Sequence, residues 1–189
     1  MKLSAFLFWL PNLITLGRLF LVPALVYFVM LDQVAAAFWI FVLAGASDAV
    51  DGLLAKRLNA VTRLGTYLDP LADKALLVAA YITLGMQGEL PLWLVILVVS
   101  RDLMIVGGAL LYQVIMHELN PRPLAISKLN TAMQIVLVAV VLGQQGLGID
   151  LSEVLVMLLA WATGLTTLLS GAAYLITWGR QAIHSDSSR

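Results

Sequence analysis

The chain contains no cysteine and only two histidines. Disulfide scaffolds, thiolate zinc sites and cysteine nucleophiles are therefore excluded. Charge is scarce as well: 12% of the 189 residues are Asp, Glu, Lys or Arg, against about a quarter in an average soluble domain. The hydrophobic share is 61% and the mean hydropathy is +0.97. A soluble globule of this length would have to expose much of that apolar excess, so the composition rules one out. Six helices of about 20 residues, the length that crosses a bilayer core, need roughly 120 residues. The 189 residues hold them with short loops and leave no room for a second, soluble domain. The composition therefore reads as one all-α integral membrane domain covering residues 1–189.

Lys2 precedes an apolar run, but no small-residue cleavage site follows, and Pro11-Asn12 interrupts the run. Residues 2–11 read as a short N-terminal helix at the interface, anchored by Phe6, Phe8 and Trp9. Six transmembrane spans are expected at about 13–31, 34–55, 69–87, 91–116, 128–146 and 154–178. Residues 180–189 read as a tail, disordered from His184 onward.

The net charge of zero hides an asymmetry. Lys2 and Arg18 flank the start of the first span, and Lys56, Arg57, Arg63 and Lys74 surround the second-to-third connection. Arg122 and Lys128 surround the fourth-to-fifth, Arg180 and Arg189 follow the sixth, and Arg101 sits inside the fourth span. The other three connections carry only acidic residues: Asp32, Glu89, Asp150 and Glu153. The positive-inside rule then puts both termini and the two longer basic loops in the cytoplasm.

Residues 47–74 read SDAVDGLLAKRLNAVTRLGTYLDPLADK. Asp48 and Asp51 are three apart, and Asp69 and Asp73 four apart, so each pair shares one face of a helix. Both pairs lie near the cytoplasmic ends of consecutive spans, so four carboxylates can converge. Ionisable groups within a membrane protein are costly and usually face a cavity or a partner. Clustered carboxylates repel, and divalent cations are the natural compensation; oxygen ligands favour Mg²⁺, Mn²⁺ or Ca²⁺ over zinc. Two such ions about 4 Å apart can clamp a phosphoryl group undergoing displacement. Gly52 leaves open backbone beside Asp51, and Gly65 lets the chain turn into the third span. Lys56, Arg57 and Arg63 add the positive charge that a phosphate-bearing substrate requires.

The pattern Asp48-x2-Asp51-Gly52-x2-Ala55-Lys56-x8-Gly65-x3-Asp69-x3-Asp73 resembles the signature of the CDP-alcohol phosphotransferases. Its one departure is Lys56, where that signature has Arg; lysine keeps the charge but loses the bidentate fork. The resemblance implies six spans with the motif across the second and third. It also implies that Asp48, Asp51, Asp69 and Asp73 hold two divalent ions, Mg²⁺ or Mn²⁺, and that Asp73 doubles as general base. Gly52, Ala55, Lys56, Thr62 and Gly65 would line the nucleotide and diphosphate of a CDP-linked lipid. Pro11-Asn12, Thr15 and Arg18 match the family's usual opening, and Arg18 either touches phosphate or snorkels to the interface.

The acceptor is read from the fourth and fifth spans. Arg101 lies deep enough to need a polar partner or ligand. Asp102 points about 100° away on a helix and is not automatically that partner; one of the four motif carboxylates, or a ligand phosphate, is the alternative. Lys128 is either a cytoplasmic anchor or a lipid-phosphate contact, and Arg63 is a further phosphate candidate. Two branches of the family are similar to this chain. Bacterial phosphatidylglycerophosphate synthases share the opening and Leu68-Asp69-Pro70-x-Ala72-Asp73-Lys74, but carry Arg-Glu in the fourth span and a second Arg eight positions on. Here those places hold Asp102 and Ala109. CMP-forming cardiolipin synthases show Ser-Arg-Asp and Ile-Ser-Lys-x-Asn-Thr-x-x-Gln, matched by Ser100-Arg101-Asp102 and by Ile126 to Gln134. The apolar Leu110, Leu111 and Val114 also suit a membrane acceptor.

The resemblance therefore implies transfer of a phosphatidyl group from CDP-diacylglycerol to phosphatidylglycerol, giving cardiolipin and CMP, with glycerol 3-phosphate the alternative acceptor. The phospholipase D type of cardiolipin synthase is excluded, since neither His117 nor His184 has Lys two residues on. A cation transporter built on the four carboxylates is the reading from a different class. It would need polar residues across the membrane, whereas Ala75–Ala80 and Phe38–Leu43 are apolar. A homodimer is implied by the resemblance alone, and no nucleic-acid partner is expected. No presequence is visible, so a bacterial inner membrane is the expected location, with the site facing the cytoplasm.

Overall fold

The computed structural model describes the backbone of residues 2–58, 63–116 and 125–186, and the side chains of residues 13–48, 72, 74–108 and 125–177. Within these residues the chain is all helix, with no strand. The helices are α1 (Lys2–Met30), α2 (Val34–Leu58), α3 (Arg63–Met86), α4 (Leu92–Met116), α5 (Ala125–Leu147) and α6 (Glu153–Asp186). Apolar stretches long enough to cross a bilayer lie at Leu13–Met30, Ala125–Leu147 and Glu153–Thr177, with shorter ones at Val34–Asp48 and Lys74–Met86.

Two boundaries differ from the sequence reading. The expected separate helix over 2–11 is continuous with the first span: α1 runs through Pro11 without interruption. A proline inside a helix removes one backbone hydrogen bond and crowds the preceding turn, a local cost that the Leu- and Phe-rich flanks outweigh. At the other end, α6 covers 34 residues and carries helix to Asp186, past the point where a disordered tail was expected.

The turns have identifiable chemistry. The N–H of Gln33 donates to the Phe28 carbonyl at 2.9 Å while Asp32 takes a φ of 58°, a left-handed residue that ends α1. Gly88 does the same for α3 at φ 82°, with Glu89 N–H donating to the Leu84 carbonyl at 3.0 Å. Pro91 follows, where a helix cannot be extended backwards. Ser152 caps α6, accepting from the Leu155 N–H at 3.2 Å.

The chain divides into two compact units. One contains residues 1–89 and 138–151, the other 90–137 and 152–189, so α5 contributes to both. In the first unit α1 packs on α2 and on α3, burying Leu25, Val29, Ala37, Ala80, Tyr81 and Leu84 completely. The amide of Gln87 reaches back to the Val29 carbonyl at 2.6 Å and ties the end of α3 to α1. Late α5 meets early α2 with almost no space between backbones: a Cβ on Gly146 would lie 2.7 Å from the Cα and N of Ala35. In the second unit α4 packs on α6, with the Trp93 and Trp161 rings in contact at 4.8 Å between centroids and tilted by 30°, and Leu94, Val98 and Leu137 fully buried.

The distribution of polarity is inverted relative to a water-soluble protein. Fully or nearly fully buried positions include Arg18, Arg101, Asp102, Asn130, Gln134 and Ser170, whereas Phe20, Trp39, Met86, Ile96 and Leu165 stand exposed. Large apolar surfaces of this kind are not left in water. Helices wrapped in apolar side chains with polar groups turned inward are the arrangement that a hydrocarbon solvent selects.

Candidate active site

The first unit holds the motif aspartates. Asp48 lies on α2 and is held from α1: the Arg18 guanidinium donates from Nη1 to Asp48 Oδ1 at 2.9 Å. The Arg18 side chain is 1% exposed and that of Asp48 48%. Arg18 therefore does not snorkel, since its guanidinium is held inside the helix packing. Its Nε lies 3.5 Å from Ser47 Oγ, whose own proton goes to the Ala44 carbonyl at 2.7 Å. Thr15, one turn before Arg18, is also buried.

Asp51 follows Asp48 by three residues on α2, and Asp69 and Asp73 stand four apart on α3, so each pair keeps a common helix face. Ala72 beside Asp73 is 1% exposed. The side chains of Asp51, Ala55, Lys56, Arg63, Asp69 and Asp73, with Gly52 and Gly65, lie outside the described residues, as does Thr62 entirely. Among the described residues no group of three or more potential metal ligands occurs. The donor set suits a hard divalent cation: Asp48 uses one oxygen on Arg18 and keeps Oδ2 available, on the helix that also carries Asp51.

The acceptor-side candidates lie in the second unit. Arg101 is 4% exposed and fully engaged at its tips. Nη1 donates to Asp102 Oδ1 at 2.6 Å, and Nη2 donates to Ser127 Oγ at 2.6 Å and to Ser170 Oγ. The partner of Arg101 is thus its chain neighbour. The angular offset of Asp102 is overcome by the reach of a three-carbon stem and a wide guanidinium. Arg101 Nε is buried without a hydrogen-bond partner among the described residues. Lys128, by contrast, is exposed.

Sequence reasoning overlooked a polar layer one turn away from this ion pair. The hydroxyls of Thr166 and Thr167 both lie within hydrogen-bond distance of the Asn130 side-chain amide, at 2.9 and 2.8 Å. A signal for it was present. Ser127, Asn130 and Gln134 recur at steps of three and four along α5, and Thr163, Thr167 and Ser170 do the same along α6. Polar stripes at helical spacing inside apolar spans mark faces that meet other helices.

These features define a membrane-embedded protein with an acidic motif backed by buried, charge-compensated side chains. The chain belongs to the CDP-alcohol phosphatidyltransferase family, whose model matches residues 8–168. It is similar to CDP-diacylglycerol--glycerol-3-phosphate 3-phosphatidyltransferase 1, chloroplastic, of Oryza sativa subsp. japonica. The identity is 34% over 186 residues, covering 89% of this chain and 56% of the relative. It is equally similar to a cardiolipin synthase (CMP-forming) / mitochondrial hydrolase fusion protein of Schizosaccharomyces pombe, 34% identical over 186 residues, covering 90% of this chain and 31% of the relative. The human cardiolipin synthase (CMP-forming) is 33% identical over 146 residues, covering 69% and 48% respectively. The chain thus spans about half the length or less of these curated relatives. The family is generally dependent on divalent metal.

The relatives correct one expectation. A bacterial inner membrane was expected because no presequence is visible, yet these similar proteins are eukaryotic, one chloroplastic and one joined to a mitochondrial hydrolase. The start of a chain carries no information about which bilayer its spans occupy, because apolar helices of this length fit any of them.

Proposed function

We propose that this chain transfers the phosphatidyl group of CDP-diacylglycerol to the free glycerol hydroxyl of phosphatidylglycerol, forming cardiolipin and releasing CMP. The relatives' names divide between this reaction and transfer to glycerol 3-phosphate, so the acceptor rests on the fourth and fifth helices. The observation that carries the choice is the state of Arg101. Its guanidinium is buried and taken up by Asp102, Ser127 and Ser170, and the position eight residues on is Ala109. Neither position offers an exposed cation to the phosphate of a water-soluble acceptor, which favours a lipid alcohol.

Asp48, Asp51, Asp69 and Asp73 would hold two divalent cations, whose chemistry is Lewis-acid neutralisation of the diphosphate. Asp73 accepts the proton of the acceptor hydroxyl on its carboxylate. The resulting alkoxide attacks the phosphorus that bears the diacylglycerol, the bond from that phosphorus to the bridging oxygen breaks, and CMP departs with the bonding electrons. Gly52, Ala55, Lys56, Thr62 and Gly65 line the nucleotide, and Lys56 and Arg63 offset its charge. Both termini and the basic connections face the side from which CDP and metal arrive. The protein works as a homodimer in this reading.

The test supplies purified protein with labelled CDP-diacylglycerol, Mg²⁺ or Mn²⁺, and either phosphatidylglycerol or glycerol 3-phosphate. Cardiolipin and CMP are expected only with phosphatidylglycerol. Asp73→Asn should lower turnover by at least about 100-fold. Turnover confined to glycerol 3-phosphate would replace the acceptor and leave the transfer chemistry intact.

A further inference from the structure

We infer that Arg18 acts as the built-in counter-ion of the metal site, working through Asp48; the inference rests on the metal reading above. Three observations carry it. The Arg18 side chain is 1% exposed, so it can neither snorkel to water nor grip a phosphate in solution. Its Nη1 holds one oxygen of Asp48 at 2.9 Å and leaves the other free. Its Nε lies 3.5 Å from Ser47 Oγ, whose own proton is committed to the Ala44 carbonyl at 2.7 Å. Arg18 is thus a fixed positive charge on α1, built against the first carboxylate of the motif on α2.

The consequence follows from counting charge. Four aspartates and two divalent cations cancel, so the charge of Arg18, like those of Lys56 and Arg63, is left over. Before metal binds, Arg18 relieves the repulsion among the carboxylates and competes with metal for Asp48. After metal binds, its surplus charge favours an anionic diphosphate or CMP. The same side chain therefore weakens the metal and strengthens the nucleotide. Even at the dielectric of water, a unit charge and a divalent ion on the order of 6 Å apart repel by an amount equivalent to about tenfold in an equilibrium constant. An arginine cannot escape this role by losing its proton. Arg18 is a positioning residue in this account, since it acts through Asp48.

The experiment uses the full chain in detergent micelles at fixed pH and low salt, comparing wild type, Arg18→Gln and Arg18→Lys. Gln keeps a hydrogen bond to Asp48 and removes the charge, whereas Lys keeps the charge. Mn²⁺ affinity is read from the paramagnetic resonance signal of the free ion, and CMP affinity by calorimetry at saturating Mn²⁺. Circular dichroism and size-exclusion profiles establish that each variant is folded. Arg18→Gln should bind Mn²⁺ about tenfold more tightly and CMP about tenfold more weakly, with Arg18→Lys close to wild type. If both affinities fall together, Arg18 is only a packing element and the inference is overturned. Unchanged Mn²⁺ affinity overturns it as well. A wild type that binds no Mn²⁺ would remove the metal reading itself, and this inference with it.

Discussion

At the scale of single residues, the two buried arginines differ in how they are neutralised. Arg18 draws its partner from the next helix, while Arg101 uses the residue beside it. Truncating one member of a buried ion pair leaves the other uncompensated, at a cost of about 3–5 kcal/mol, whereas removing both is often nearly neutral. Arg101→Leu should therefore lower the thermal midpoint in detergent strongly, and Arg101→Leu with Asp102→Leu should recover most of the loss. If Arg101 also serves the acceptor, the double variant will be stable with a raised KM for phosphatidylglycerol. The position of Arg101 within a span was legible from the apolar residues around it. Its partner was not, because helix geometry states where a Cβ points and not how far an arginine can reach around the helix. Arg18 was ambiguous for a related reason. Snorkelling and burial differ only in which neighbouring helix covers the residue, and that is information from outside its own segment.

At the scale of elements, α5 and α6 are joined by side-chain amide and hydroxyl groups with few protons to share. The Thr166 and Thr167 hydroxyls lie 2.9 and 2.8 Å from the Asn130 oxygen, and 3.0 and 2.7 Å from the Thr163 carbonyl. Each hydroxyl has one proton, so it cannot donate to both. Turning the Asn130 amide end for end would satisfy the set, with NH2 donating to both threonine oxygens and both hydroxyl protons passing to Thr163. Either orientation makes Asn130 the link between the two helices. Asn130→Leu should destabilise the protein by about 1 kcal/mol, the scale of interhelical hydrogen bonds in membrane proteins, measured as a shift in the thermal midpoint. A sharper effect is expected where α5 meets α2. Gly146→Ala forces a methyl group to within 2.7 Å of Ala35 backbone atoms, and overpacking of this kind costs about 1–3 kcal/mol. The helices themselves were legible as apolar runs between short polar connections. The continuity of α1 through Pro11 was not, because a single proline is a local penalty that the helix on either side can absorb.

At the scale of the whole molecule, the absence of cysteine makes the proposed topology directly measurable. Single cysteines placed at Asp32, Glu89 or Ser152 should react with an impermeant maleimide from one side of a sealed vesicle, and one at Ser185 from the other. Labelling of all four from the same side would overturn the six-span arrangement with both ends together. The family was legible in the sequence because the acidic motif has eight positions over 26 residues and the chemistry of clustered carboxylates permits few alternatives. The acceptor was less legible, since it depends on side chains of α4 to α6 whose roles are set by packing rather than by spacing.

The different neutralisation of Arg18 and Arg101 also bears on how the chain enters its bilayer during synthesis. An arginine standing alone in an inserted helix costs up to about 2.5–3.5 kcal/mol, the full amount at the helix centre and less toward its ends. Arg18 pairs with Asp48, 30 residues later, and α1 has no acidic residue of its own, so its charge is first matched when α2 has followed. The fourth helix brings Asp102 with it and enters as an already neutral segment. Pairing of α1 with α2 is thereby favoured early, and it sets the first carboxylate of the acidic motif against α1 independently of the third helix.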